Sequence, residues 1–238
     1  MKRHLLKSMW ARKRRLVGAG FAVIIGIAFL VATLVFSDGM RAGIDSLFTE
    51  GNSGTDVLVR SDNQIGSIET GTLGTVDAAL VDELTAVPEV DEAIPVVEGL
   101  AQVVAADGTA IGGQGPPTIG LNWADYDRNP YEIVDGRAPR AAGEVMLDSG
   151  TARTGDLAVG DVTTVRVPHP ETVTVVGIAE LGSGKSLGGV TFAWFETGTA
   201  QELLLGTHDQ LTGVTLTATP GVEPGGLLAA VEPLLPGD

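Results

Sequence analysis

The sequence predicts an α+β protein. One N-terminal transmembrane helix precedes a mixed α/β extracytoplasmic domain of two subdomains, the second rich in short strands. Three observations predict this class. The stretch Leu16 to Phe36 runs for 21 residues without a charge. Seven of the fifteen Lys and Arg residues lie within the first fifteen positions, and the first acidic residue is Asp38. Beyond Phe36, helical and strand periodicities are mixed along the chain, which is the α+β signature.

The apolar stretch comes first. As a helix it is about 31 Å long, which matches a bilayer core of about 30 Å. It has no polar face, unlike a helix that packs on a soluble core. A cleaved signal peptide has an apolar region of about 7–15 residues and an A-x-A-like end. Leu34-Val35-Phe36-Ser37 lacks small residues at that spacing, so an uncleaved membrane helix over 16–36 is predicted. Met40, Ile44, Leu47 and Phe48 keep helical spacing and carry the helix toward residue 50. By the positive-inside rule Arg12, Lys13, Arg14 and Arg15 stay in the cytoplasm and set the topology. The rest of the chain, with eight basic and thirty acidic residues and a net charge of −22, is then outside the plasma membrane.

Residues 1–15 form a basic cytoplasmic segment. Leu5, Leu6, Met9 and Trp10 fall at helical spacing among Lys2, Arg3 and Lys7. An amphipathic helix resting on anionic headgroups fits this pattern, and so does a basic tail that only sets topology. Nucleic-acid binding is not expected, because the one basic patch abuts the membrane span. The chain has no cysteine, which excludes disulfides and thiolate chemistry.

The outer part, 54–238, reads as follows. Asp56 to Arg60 is a short strand, and 61–75 is a polar, glycine-rich loop. Val76, Ala79, Leu80, Leu84 and Val87 mark one helical face that Pro88 ends. Ala93 to Ala106 is strand, with a turn at Asp107-Gly108. Residues 112–118 are a break before a strand at Ile119 to Trp123. Near residue 140 the texture changes to short strands with close turns: 144–148, 163–167, 172–178 and 190–195. Thr199 to Leu205 is a short helix. Leu211 to Ala218 alternates, with Val214 and Leu216 on one face, and Gly225 to Leu235 is an amphipathic helix.

Several short motifs suggest chemistry. GSGKS at 182–186 ends like a phosphate-binding loop, but the first glycine of that pattern would fall on Ala179. The flanks read as strands, so a turn between strands is expected. Asp148-Ser149-Gly150-Thr151 looks like half of an aspartic-protease dyad. With one copy, Asp148 is expected to cap a short helix instead. Asp125 to Asn129 opens like a calcium loop, but Pro130 and Gly136 stand where Gly and Glu are needed. His4, His169 and His208 lack partners at metal spacing. His169 is expected at a hairpin tip between Pro168 and Pro170. No catalytic, cofactor-binding or metal set emerges from the residues, and an enzyme is not expected.

The ordered motifs resemble the FtsX/MacB-like permeases of ABC transporters. Met9 to Arg15 and Gly26 to Asp38 match the basic entry and first membrane helix, and Gly54 to Val59 the entry to the outer domain. Asp135-Gly136-Arg137-Ala138-Pro139, then Gly143 to Asp148, looks like the family's "G-R-x-P … E-V-x-L-D". Leu157 to Asp161 and Val175-Val176-Gly177-Ile178 follow in order.

The resemblance implies a MacB-like core domain over 54–238. It also implies a separate ABC ATP-binding subunit that drives export or an extracytoplasmic conformational signal. The expected partners are that subunit, the lipid bilayer, an extracytoplasmic partner or substrate and, as an option, a second copy in a dimer. No second apolar span precedes Asp238, so a fragment or truncated form unable to transport alone is expected. The other reading is a stand-alone, single-pass anchored binding module.

Overall fold

The computed structural model describes residues 23–31, 33, 54–61, 74–112, 118–182 and 190–235. By its contacts the chain divides into two units, 1–49 and 50–238. In the first unit, residues 23–31 and 33 are α-helical with exposed side chains. Thr33 Oγ1 donates to the Phe29 carbonyl at 2.9 Å, a backbone contact one helical turn back. No helix of the described residues is long and apolar enough to cross a membrane. Most of the predicted span 16–36, and the whole basic segment 1–15, lie outside the described residues.

The second unit begins with β1 (Val57–Val59) and β2 (Val76–Asp77), followed by helix α1 (Leu80–Thr85). Here one expectation is corrected. Val76 belongs to a strand, not to the helix: it pairs with Leu211, and the Ala78 N–H donates to the Asp209 carbonyl. The Asp77 carboxylate accepts from the Ala79 N–H at 2.8 Å, and the helix starts at Leu80, four residues later than the apolar spacing suggests. Leu80 and Leu84 face the core as predicted.

The single strand predicted over 93–106 is three: β3 (Val90–Val96), β4 (Glu98–Leu100) and β5 (Gln102–Val103). The break has a physical cause at Val97, which is fully buried. Its N–H donates to Asn122 Oδ1 at 2.8 Å, while Asn122 Nδ2 donates to the Pro95 carbonyl at 2.9 Å. One amide side chain thus replaces the ladder where the chain leaves one sheet for another. The turn at Asp107-Gly108 is present, with Gly108 at φ +85°.

The remaining strands are β6 (Thr118–Asn122), β7 (Tyr131–Gly136), β8 (Glu144–Asp148), β9 (Val162–Arg166), β10 (Pro170–Leu181), β11 (Thr191–Phe195), β12 (Gln210–Leu211) and β13 (Gly213–Ala218). Helix α2 (Ser149–Gly155) follows β8 and α3 (Thr197–Ala200) follows β11. Helix α4 (Pro224–Val231) closes the order. The predicted helix at 199–205 starts earlier, because the Glu196 carboxylate accepts from the Gly198 and Thr199 N–H groups, each at 2.9 Å. It ends in a π-helical turn, Gln201–Leu205. The final helix gives way to a 3-10 turn at Glu232, since Pro233 has no N–H to donate.

Three strands form one sheet in the order β1-β13-β3, and β12 pairs with β2. The large sheet runs β4-β6-β11-β8-β10-β9-β5, with β7 also on β10. β4 pairs with β6 and β5 with β9. The two ends of this sheet therefore meet on one segment, 98–103, and the sheet curls into closure. Strands from both sides of residue 140 share it.

Strand period two sorts the side chains. Val145, Leu147, Ala193 and Phe195 face one continuous core that includes Leu84, Leu216 and Leu227. Met146, Phe192 and Trp194 alternate with them and build a second cluster on the opposite face. Val214 and Leu216 share a face as predicted. Thr215 and Thr217 on the other face are buried too, because β13 is the central strand of its sheet.

Candidate functional site

Four of the motifs that carry the sequence resemblance, 135–139, 143–148, 157–161 and 175–178, meet in one place, where β7 leaves β10. Gly136 has φ +70°, and a Cβ there would lie 2.3 Å from the Val176 carbonyl oxygen. A Cβ on Gly177 would lie 2.2 Å from the Arg137 carbonyl oxygen. Two backbones touch at this junction, and only glycine permits it. The Arg137 N–H then donates to the Val176 carbonyl at 2.9 Å.

Next to this contact the Arg137 guanidinium grips Glu144 with two bonds, Nη1 to Oε2 at 2.8 Å and Nη2 to Oε1 at 2.5 Å. The Arg140 N–H donates to the same carboxylate at 2.8 Å. The Arg137 bonds, helped by this N–H, hold Glu144 down to about 2. A free glutamate titrates near ~4.3. The folded value is the depressed one, so this stabilisation is present above about pH 4.3 and is lost as pH falls toward about 2. The melting temperature is expected to drop through this window. Glu144→Gln should flatten part of that slope, the rest coming from groups such as Asp56, which Arg128 also holds below its ordinary value. An unchanged slope in Glu144→Gln would contradict this role.

Asp148 is the predicted helix cap. It accepts from the Thr151 N–H at 2.9 Å and from the Phe192 N–H at 2.8 Å, and the Thr151 hydroxyl donates to it. Its acceptor positions are spent on α2 and β11. In the calcium-like loop, Arg128 pairs with Asp56, and Asn129 Nδ2 donates to the Ala124 carbonyl at 2.9 Å. Among the described residues no group of three or more His, Asp or Glu could hold a metal ion. His169 is at the β9–β10 hairpin tip as expected, between Arg166 and the paired Pro170. His208 is in the turn before β12, and His4 lies outside the described residues. So do residues 183–186 of GSGKS and the topology residues Arg12, Lys13, Arg14 and Arg15.

Sequence reasoning missed a groove between the two main sheets. It has a volume of about 220 Å³ and is lined by Arg60, Glu98, Trp123, Tyr126, Tyr131 and Trp194, among others. Arg60 Nη2 donates to Glu98 Oε2 at 2.9 Å. Trp194 stacks on Phe192 with ring centres 5.5 Å apart, and Tyr131 meets Trp194 edge-on at 4.9 Å. Trp123 meets it edge-on at 6.2 Å. Such offset and edge-on contacts fix ring positions. Burial, with the nearby Asp148 charge, pushes the Tyr131 hydroxyl up to about 12. The available signal was the gathering of scarce aromatics at 123, 126 and 131, followed by Trp194 in β11.

The curled strand-rich sheet, the glycine junction and the Arg137–Glu144 clamp define a mixed α/β domain. The MacB-like periplasmic core domain model matches residues 19–234, and the chain belongs to that family. Among solved structures, the periplasmic region of MacB from Actinobacillus actinomycetemcomitans matches with a TM-score of 0.54 at 12% identity, over 77% of this chain and 86% of that one. The extracellular domain of the ABC-type transporter YknZ from Gram-positive bacteria matches with a TM-score of 0.46 at 14% identity, over 69% of this chain and 85% of that one. Comparison with curated proteins finds none that matches.

Proposed function

We propose that the chain is the permease portion of an FtsX/MacB-like ABC transporter. In this reading 16–36 spans the plasma membrane, Arg12 to Arg15 stay in the cytoplasm and 54–238 is outside. A separate ATP-binding subunit drives it, and the outer domain takes part in export or relays a conformational signal. The observation that carries the reading is the extent of the family match. It starts at residue 19, inside the uncharged stretch, and runs through the outer domain to 234. The charge pattern agrees with it.

The test is capture of the full chain from its native membrane in mild detergent, with identification of what co-purifies. An ABC ATP-binding subunit in stoichiometric amount is the expected result. Repeated recovery without any ATP-binding protein would contradict the reading and favour an anchored binding module.

A further inference from the structure

The rings of Trp123, Tyr131 and Trp194 pack in the second apolar cluster, but the groove between the sheets leaves their polar edges unused. The chain has three Trp and two Tyr. Both tyrosines and two of the tryptophans line this one groove, beside Pro95 and Pro130.

Hydrogen bonding narrows the occupant. Among the described residues, none accepts a hydrogen bond from the indole N–H of Trp123 or Trp194, or from the hydroxyl of Tyr126 or Tyr131. Arg60 Nε is buried and also lacks a partner. Tyr131 stays protonated at all physiological pH values, so its hydroxyl remains a donor. Trp194 is buried beneath the other rings, so the groove offers the half-buried Trp123, Tyr126 and Tyr131 donors beside apolar rings, and an occupant must bring acceptors on an apolar body.

A polyproline II segment has this character. Its carbonyls make no internal hydrogen bonds, its proline residues carry no N–H, and its rings present apolar faces. One turn is three residues and about 9 Å long. Drug-sized ligands take ~300–1,000 Å³, more than it holds. Charge sets the flank. Arg60 is matched by Glu98 and Arg128 by Asp56, whereas burial, then Asp127 and Asp91, raise the Glu92 carboxyl despite Arg128 nearby, which leaves this flank acidic. Beyond Phe36 the chain carries a net −22. A basic flank on the occupant is therefore favoured.

We infer that this groove docks a proline-rich, extended segment of a partner protein, held by the Trp and Tyr donors and flanked by a basic residue. That the partner is outside the cell rests on the topology proposed above; the groove chemistry does not.

The test is a fluorescence titration of the full chain in nanodiscs with Trp10→Phe, so that only Trp123 and Trp194 report. The probes are a decaproline peptide with Arg at each end, a Gly-Ser peptide with the same ends, and maltose. A saturable change with the proline peptide alone, by roughly 1 mM at the weak end of the affinity scale, is expected. Tyr131→Phe keeps the ring and removes the donor, and should weaken binding about three- to tenfold with folding unchanged. No saturation with the proline peptide, an equal response to the Gly-Ser peptide, or an unchanged affinity in Tyr131→Phe would overturn the assignment. Saturation by maltose in place of the peptide would also overturn it and give the groove to a sugar. None of these outcomes bears on ATPase coupling, so the two readings fail separately.

Discussion

Gly177→Val is expected to remove most of the stability of the outer domain. A Cβ at 177 would sit 2.2 Å from the Arg137 carbonyl oxygen, and that oxygen belongs to backbone that cannot rotate away. The strands must part instead. Parting them breaks the Gly177–Gly136 register and the Arg137 N–H bond to Val176. It also moves the Arg137–Glu144 clamp. Overpacking usually costs ~1–3 kcal/mol, and contact with fixed backbone belongs above that range. Against a total stability of ~5–15 kcal/mol this leaves a marginal fold at best. Gly143→Ala is the control. Its φ is +79° but nothing lies within 4 Å of the added Cβ, so it should cost only the left-handed penalty of ~1–2 kcal/mol. Thermal unfolding followed by circular dichroism separates the two. Equal, small losses would contradict the junction's role.

Neutralising Arg12, Lys13, Arg14 and Arg15 together is expected to randomise the orientation of the chain in the membrane. Lys2, Arg3 and Lys7 then remain as the only basic residues before the span. Attraction to an anionic cytoplasmic surface is ~1 kcal/mol per basic residue, so four removals weaken the bias by about 4 kcal/mol. The positive-inside rule counts charge and not side-chain shape. Replacing the three arginines by Lys should therefore keep the native orientation, while replacing all four residues by Gln should give a mixture. Protease accessibility of the outer domain in sealed vesicles reads the fraction in each orientation. A single orientation in the Gln variant would show that other features fix the topology.

Local pattern made much of the fold legible. Glu144 to Asp148 is a strand with the predicted bounds because turns isolate it and three apolar residues fill it. Asp148 as a helix cap followed from the lone Asp-Ser-Gly-Thr copy, and the structure spends its oxygens in that way. The β7 strand was not legible. Glu132, Ile133, Val134 and Asp135 are all exposed, so no one-sided pattern marks it. It is held by its backbone pairing with β10, a long-range contact that local sequence does not announce. The division of 93–106 depends on Asn122, an amide that binds Val97 from 25 positions away. The Gly136–Gly177 contact was visible only as a family motif, since its reason is the approach of two backbones 41 residues apart. The groove was hidden for the same reason: its rings come from β7, β11 and the loop after β6, with Arg60 following β1.

In the proposed topology a cytoplasmic basic head is joined through the membrane to an outer MacB-like domain. The absence of native cysteine allows a direct measurement of this. Single cysteines at Ser8, before the span, and at Ala106, in an exposed turn of the outer domain, are labelled in right-side-out vesicles with a membrane-impermeant maleimide. Ala106→Cys is expected to be labelled in intact vesicles and Ser8→Cys only after permeabilisation. Labelling of Ser8→Cys from outside, or protection of Ala106→Cys until the membrane is opened, would contradict it.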